Sequence, residues 1–205
     1  MIKKIILLSF LILLTGIQFL SAQAYTANVD FGQEKLAIRE VRRNAITANI
    51  GWNGLTGIGV TYHNYVAKQM SAEFGVGLST TGIKFGGRFS YLFSDKNFSP
   101  FISGGFMYGM GSGDYEYDYE YDGSYKFSYS IGASPFAQIA GGIEYMKNNG
   151  FMFSANLGWA ILLTDSNYEI TKGNPTSDEL RAMDIAISSG FVLEFSIGYA
   201  IGNKK

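Results

Sequence analysis

The chain has 205 residues, no cysteine and a formal charge of −1, with 47% hydrophobic and 16% charged residues. Without cysteine there is no disulfide framework and no thiolate metal site. Without a basic surplus there is no surface suited to nucleic acid. The 26 glycines against 3 prolines, with 16% aromatics, point to one domain built from many strands.

The chain opens as a secretory signal peptide over residues 1–24. Lys3 and Lys4 form the basic start, residues 5–14 are apolar, and Ala22-Gln23-Ala24 is a small-residue cleavage site. Cleavage after Ala22 is the close alternative to cleavage after Ala24. The apolar run is shorter than the ~20 residues a transmembrane helix needs, and no later stretch reaches ~18 uncharged apolar residues. Losing Lys3 and Lys4 takes the formal charge to −3. Residues 25–44 carry Glu34, Lys35, Arg39, Glu40, Arg42 and Arg43 with only a weak apolar side. They are expected to be a loosely ordered periplasmic lead-in with at most a short helix.

Residues 45–205 form the expected barrel domain, and in them the hydrophobic period is two. Ile46, Ala48, Ile50 and Trp52 alternate with Thr47, Asn49 and Gly51 before an Asn53-Gly54 turn. Ile58, Val60 and Tyr62 follow, then Phe74, Val76 and Leu78, each interleaved with small or polar residues. Residues 83–93, IKFGGRFSYLF, set Ile83, Phe85, Phe89, Tyr91 and Phe93 against Lys84, Gly86, Arg88 and Ser90. A fifth strand runs through Ile102, Phe106, Tyr108 and Met110, and a sixth through Ala137, Ile139, Ile143 and Tyr145. A seventh carries Phe151, Phe153, Leu157, Trp159 and Ile161, and an eighth Phe191, Leu193, Phe195, Ile197 and Tyr199. Strict alternation makes each a strand with two unlike faces. The connections after the second, fourth and sixth strands are short, whereas loops 111–127 and 165–185 are long. That asymmetry is the one seen in outer-membrane barrels.

An eight-stranded barrel has an interior just wide enough for side chains to fill. The apolar faces hold over twenty large residues, and the opposite faces are mostly Gly, Ser, Ala and Asn. Only the small face fits the lumen, so the oily face points outward, and outward oil of that extent calls for lipid. The expected fold is all-β, an eight-stranded antiparallel up-and-down transmembrane β-barrel. Over residues 45–201 the chain resembles the small eight-stranded outer-membrane proteins of Gram-negative bacteria, the OmpA/OmpX-like barrel superfamily. The last strand, with Gly198-Tyr199-Ala200-Ile201, resembles the assembly signal of such barrels but continues through residues 202–205 instead of ending on an aromatic. The resemblance implies insertion in outer-membrane lipid, with the barrel assembly machinery as a partner during biogenesis.

Parity places His63, Glu73, Lys84, Arg88, Glu144 and Glu194 in the lumen. With Ser79 paired to Lys84 across a turn at residues 80–82, Arg88 would lie opposite Gly75, diagonal to Glu73 and across from Glu194. In a dry interior such charges must pair. Glu73, Lys84, Arg88, Glu144 and Glu194 are thus expected to form a structural charge network. A narrow pore gated by that cluster is the alternative. A lipid-A-modifying enzyme is a third reading, set back because His63 has no evident serine and acid partners and faces the lumen.

Residues 111–127, GSGDYEYDYEYDGSYKF, alternate Asp114, Glu116, Asp118, Glu120 and Asp122 with Tyr115, Tyr117, Tyr119 and Tyr121. Asp122-Gly123 is a hairpin signal. A three-residue turn would set Tyr115–Tyr121 against Ile131, Tyr129, Phe127 and Tyr125, with a register change at Gly111-Ser112-Gly113. Tyrosine-rich surfaces suit contact, so the expected role is that of a non-enzymatic barrel that is structural or presents loops 111–127 and 165–185 for contact with an extracellular protein or glycan. The acids lack the spacing of a calcium loop. No catalytic residue, metal site or cofactor is expected.

Overall fold

The structure is a computed structural model describing residues 36–119 and 125–202. The expected signal peptide at residues 1–24, the lead-in up to residue 35, residues 120–124 (with Glu120 and Tyr121 of the expected contact loop) and residues 203–205 lie outside the described residues.

Eight strands close into an antiparallel barrel. They are β1 (Asn44–Trp52), β2 (Ile58–Ala67), β3 (Met70–Ser79), β4 (Gly82–Leu92), β5 (Phe98–Gly109), β8 (Ser134–Met146), β9 (Phe151–Leu162) and β11 (Gly190–Ile201). Each pairs with its barrel neighbour in the chain. The seam is β1 on β11, running in register from Asn44↔Ile201 to Trp52↔Leu193. One end carries the connections 68–69, 93–97 and 147–150; the other carries 53–57, 80–81, 110–133 and 163–189.

The alternation in the sequence is the alternation of the wall. Side chains such as Ile58, Phe74, Leu78, Phe85, Phe89, Ile139, Trp159 and Phe195 stand outward and exposed, Phe89 by 52%. The other parity is buried: Thr47, Asn49, Thr61, His63, Glu73, Lys84, Arg88, Ser90, Ser103, Asn156 and Glu194. The outside is therefore apolar on every strand and the inside largely polar.

Two apolar layers bracket the polar interior. At the short-turn end Ala45, Tyr65, Leu92, Phe101, Met146, Met152 and Ala200 pack together, with Ile38 against them. At the long-loop end the layer is Leu55, Met107, Phe136, Ala160, Leu162 and Val192. Leu55 reaches it because the 53–57 connection folds into the barrel mouth, where Leu55, Thr56 and Gly57 are buried. Gly57 makes the sharp re-entry with a φ of 70°.

Three local features differ from the sequence reading. The β3–β4 turn has two residues, not three, because Gly82 takes a φ of 82° and already pairs with Ser79. The register moves by two residues, Lys84 faces Gly77, and Arg88 stands directly opposite Glu73. The 165–185 loop is structured: it holds β10 (Tyr168–Lys172) and most of the helix α2 (Ser177–Ile187). Thr176 caps α2 in a reciprocal box with Glu179. The described end of the lead-in, residues 36–44, is seated too: α1 (Ile38–Val41) lies at the short-turn end, where Arg39 is 0% exposed.

The Tyr/acid segment does not prolong β5. The chain leaves the barrel at residues 110–112 and pairs β6 (Gly113–Tyr119) with β7 (Tyr125–Ile131) in a second sheet of order β10-β7-β6. Helix α2 packs on this sheet through Met183 and Ile187 against Phe127 and Ile131, flanked by Tyr129, Tyr168, Ile170 and Ala186. The result is a small sheet-and-helix cap at the long-loop end.

Candidate functional site

The centre of the lumen is a triad of charges from three strands. Arg88 on β4 donates from Nε to Glu73 Oε2 at 2.6 Å and from Nη1 to Glu194 Oε1 at 2.8 Å. Ser90 and Ser71 donate to Glu73 Oε1 at 2.7 and 3.3 Å. Asn156 Nδ2 donates to Glu194 Oε1 at 3.3 Å, and the Leu55 backbone N–H to Glu194 Oε2 at 2.6 Å. All four carboxylate oxygens thus have donors, which is what lets two acids and a guanidinium stay buried. Small residues leave the room. A Cβ at Gly105, the β5 residue opposite Arg88, would sit 2.5 Å from the Arg88 Cβ.

His63 belongs to the same layer. The Thr47 hydroxyl donates to Asn49 Oδ1 at 2.8 Å, so His63 Nε2 donates to Thr47 Oγ1 at 2.9 Å. Its Nδ1 lies 3.8 Å from Glu73 Oε2. The ring holds β1 to β2 across a position where Thr61 also accepts from Asn49 Nδ2 at 2.6 Å.

Glu144 and Lys84 lie apart from the triad. Glu144 pairs at the short-turn end with Arg39, whose Nε donates to Oε1 at 2.8 Å, while the Tyr65 hydroxyl donates to Oε2 at 2.9 Å. Arg39 Nη1 also donates to the carbonyls of Ser94 and Lys96, at 3.3 and 2.8 Å. Arg42 donates from Nη1 to the Ala200 carbonyl at 2.8 Å and from Nη2 to the Asn148 carbonyl at 2.9 Å. Two arginines of α1 and its C-terminus therefore stopper the lumen. Lys84 is 2% exposed, and its Nζ lies 5.0 Å from the Phe136 ring centroid.

Arg39, Arg42, Tyr65 and the Leu55 backbone are the site residues that periodicity missed. Arg39 and Arg42 were visible only as two cations three apart on a short apolar-flanked segment. Arg39 lies within α1, and Arg42 is its C-cap, just beyond the helical residues.

In the cap, Tyr115, Tyr117 and Tyr119 stand in register with Tyr129, Phe127 and Tyr125, two residues displaced from the expected pairing. Asp114, Glu116 and Asp118 are in register with Ser130, Ser128 and Lys126. Tyr129 and Phe127, whose ring centroids are 6.0 Å apart, belong to the surface covered by α2. The cap is tied to the barrel by Asn167, whose Nδ2 donates to the Ile187 carbonyl at 2.6 Å and to Ser134 Oγ at 2.9 Å. Thr80 adds a bond to the Ala186 carbonyl at 3.1 Å. Burial and the bond its hydroxyl donates to Asp184, 2.9 Å long, push the Tyr168 hydroxyl above the ordinary tyrosine range.

No protein-family model matches the chain, and neither does any of the curated proteins it was compared with. The geometry alone carries the functional reading. A triad whose every oxygen is bonded, between two apolar layers, is built to be rigid.

Proposed function

We propose that the chain is a non-enzymatic outer-membrane barrel of a Gram-negative bacterium, exported by its signal peptide, that presents the β6–β7–β10 and α2 cap for surface contact. The observation that carries this reading is the reversed polarity of the wall. All eight barrel strands expose large apolar side chains outward, while β3, β4, β8 and β11 bury charged side chains inward and the others bury mainly small or polar ones. In water such a surface would drive aggregation, whereas in a bilayer it is the stable arrangement. The signal-peptide pattern in residues 1–24 supplies the route. The long-loop end is then extracellular and the α1 end periplasmic. The filled lumen disfavours a pore, and the bonds made by His63 are structural rather than catalytic.

The absence of native cysteine makes the test simple. Asn174→Cys in the cap and Lys147→Cys in the 147–150 turn are compared in intact cells with a membrane-impermeant maleimide. Labelling of Asn174→Cys alone supports the reading, while labelling of both or only of Lys147→Cys overturns the orientation. Recovery of the chain in the soluble fraction overturns the membrane location. For the contact role, intact cells with residues 113–131 replaced by a Gly/Ser loop are compared with wild type for adhesion to host extracellular matrix. Unchanged adhesion counts against the cap.

A further inference from the structure

The long-loop end holds a recess that neither the triad nor the cap accounts for. It has a volume of about 310 Å³ and is lined by residues of the β1–β2 connection, the β3–β4 turn and Lys84. It exists because the 53–57 connection folds inward and leaves a notch in the rim between Trp52 and Ile58 on one side and Leu78 to Thr81 on the other.

The two ends of this notch differ in chemistry. Lys84 is almost fully buried, and among the described residues its ammonium has no hydrogen-bonded acceptor and no ion-pair partner. Its aromatic neighbour is the Phe136 ring. The carboxylate in electrostatic reach, Glu194, spends its oxygens on Arg88, Asn156 and the Leu55 N–H. The Asn53 Nδ2 is likewise buried without an acceptor. The Lys84 ammonium opens on the recess without a protein acceptor and the Asn53 Nδ2 is buried without one, so an anion seated there would meet an unpaired cation and an unpaired donor. At the outer end, Ile58 and Leu78 are 65% and 64% exposed on the apolar wall, beside Trp52.

From this juxtaposition we infer that the recess binds an anionic amphiphile, its headgroup on Lys84 and Asn53 and its acyl chain along Ile58 and Leu78. A wholly water-soluble anion would not use the apolar end, and a neutral lipid would leave the donors unmet. The inference rests on the membrane reading above, because only there does the outer wall meet acyl chains.

The test uses the full chain folded in neutral maltoside micelles, with Trp159→Phe leaving Trp52 as the single tryptophan reporter. Lysophosphatidic acid is titrated against a monoacylglycerol of the same chain and against inorganic phosphate. The expected result is a saturable change in Trp52 emission with lysophosphatidic acid. Binding weakens about tenfold or more in Lys84→Met and with the neutral monoacylglycerol. Equal binding by the monoacylglycerol or by Lys84→Met overturns the headgroup assignment. Phosphate binding as tightly as the lysolipid overturns the amphiphile and leaves a small-anion site. No saturable signal overturns the whole inference. Should Lys84→Met fail to fold, judged by unheated gel mobility, the headgroup comparison on the parent still decides. Leu78→Asp, on the outer wall, then tests the tail and is expected to abolish lysolipid binding. Failure to insert into lipid vesicles would sink the membrane reading itself. Insertion without lysolipid binding sinks only this inference.

Discussion

Arg88 and Glu73 stand face to face on adjacent strands, Nε to Oε2 at 2.6 Å, and the same guanidinium reaches across the lumen to Glu194. One cation thus ties β4 to β3 and to the far wall. Removing it strands two carboxylates in a space closed by apolar layers above and below. Arg88→Met should cost about 3–5 kcal/mol of unfolding free energy, read by urea unfolding in detergent. Planar-bilayer conductance should stay at the wild-type level, because Leu55, Phe136 and their neighbours still close one end and Tyr65, Phe101 and Met146 the other. A stable conducting Arg88→Met would make the triad a gate. Adding Glu73→Gln and Glu194→Gln should recover part of the stability.

Arg39 stoppers the other end. Arg39→Ala leaves Glu144 with the Tyr65 hydroxyl alone and frees the carbonyls of Ser94 and Lys96. A loss on the order of 3 kcal/mol follows from orphaning a buried carboxylate. Amide exchange should rise first in α1 and in the 93–97 turn. Protection unchanged at both would show that α1 does not depend on this ion pair.

The cap and the barrel should uncouple under mutation. Ile187→Ala hollows the cluster it forms with Phe127, Ile131 and Met183 and should weaken the seating of α2 by about 2–4 kcal/mol. The expected outcome is faster protease cleavage within 163–189 with an unchanged barrel unfolding midpoint. A shifted barrel midpoint would mean that the bonds through Asn167 and Thr80 make one cooperative unit of the two.

Tyr168 gives the cap an alkaline limit. Burial, then its bond to Asp184, raises its folded value, so the unfolded chain releases this proton first as pH climbs. The contribution is therefore complete below about pH 10, the ordinary tyrosine value, and is lost as pH rises through the folded value. Cleavage within 163–189 should accelerate between pH 9.5 and 11 (roughly spanning that value) in the wild type. In Tyr168→Phe, which lacks the proton, it should change less. Parallel curves would assign the effect to other tyrosines.

The barrel was legible because its physics is periodic. Eight runs of alternating residues say which parity is large and which is small, and the narrow lumen decides the rest. Glu73, Arg88 and Glu194 could be brought together on parity alone, since an offset of two in the β3–β4 register keeps every side chain on its face. What escaped was aperiodic. The inward fold of 53–57 depends on Gly57 and on the room above Glu194, and Leu55 by itself reads as one apolar residue in a turn. Arg39 sits in a stretch too short to show a helical period, and its partner lies 105 positions away. Helix α2 did carry a signal, Thr176-x-x-Glu179 before Leu180 and Met183, but it lay inside a polar stretch beside Pro175.

Arg42 grips the Ala200 carbonyl on the last strand and the Asn148 carbonyl of the β8–β9 turn. Neither acceptor is beside the start of β1 until β11 has come round to meet it. The stretch made first among the described residues is thus locked by the strand made last. Its docking reports that the ring has shut, and a chain truncated before residue 200 lacks the Ala200 carbonyl that Arg42 Nη1 holds.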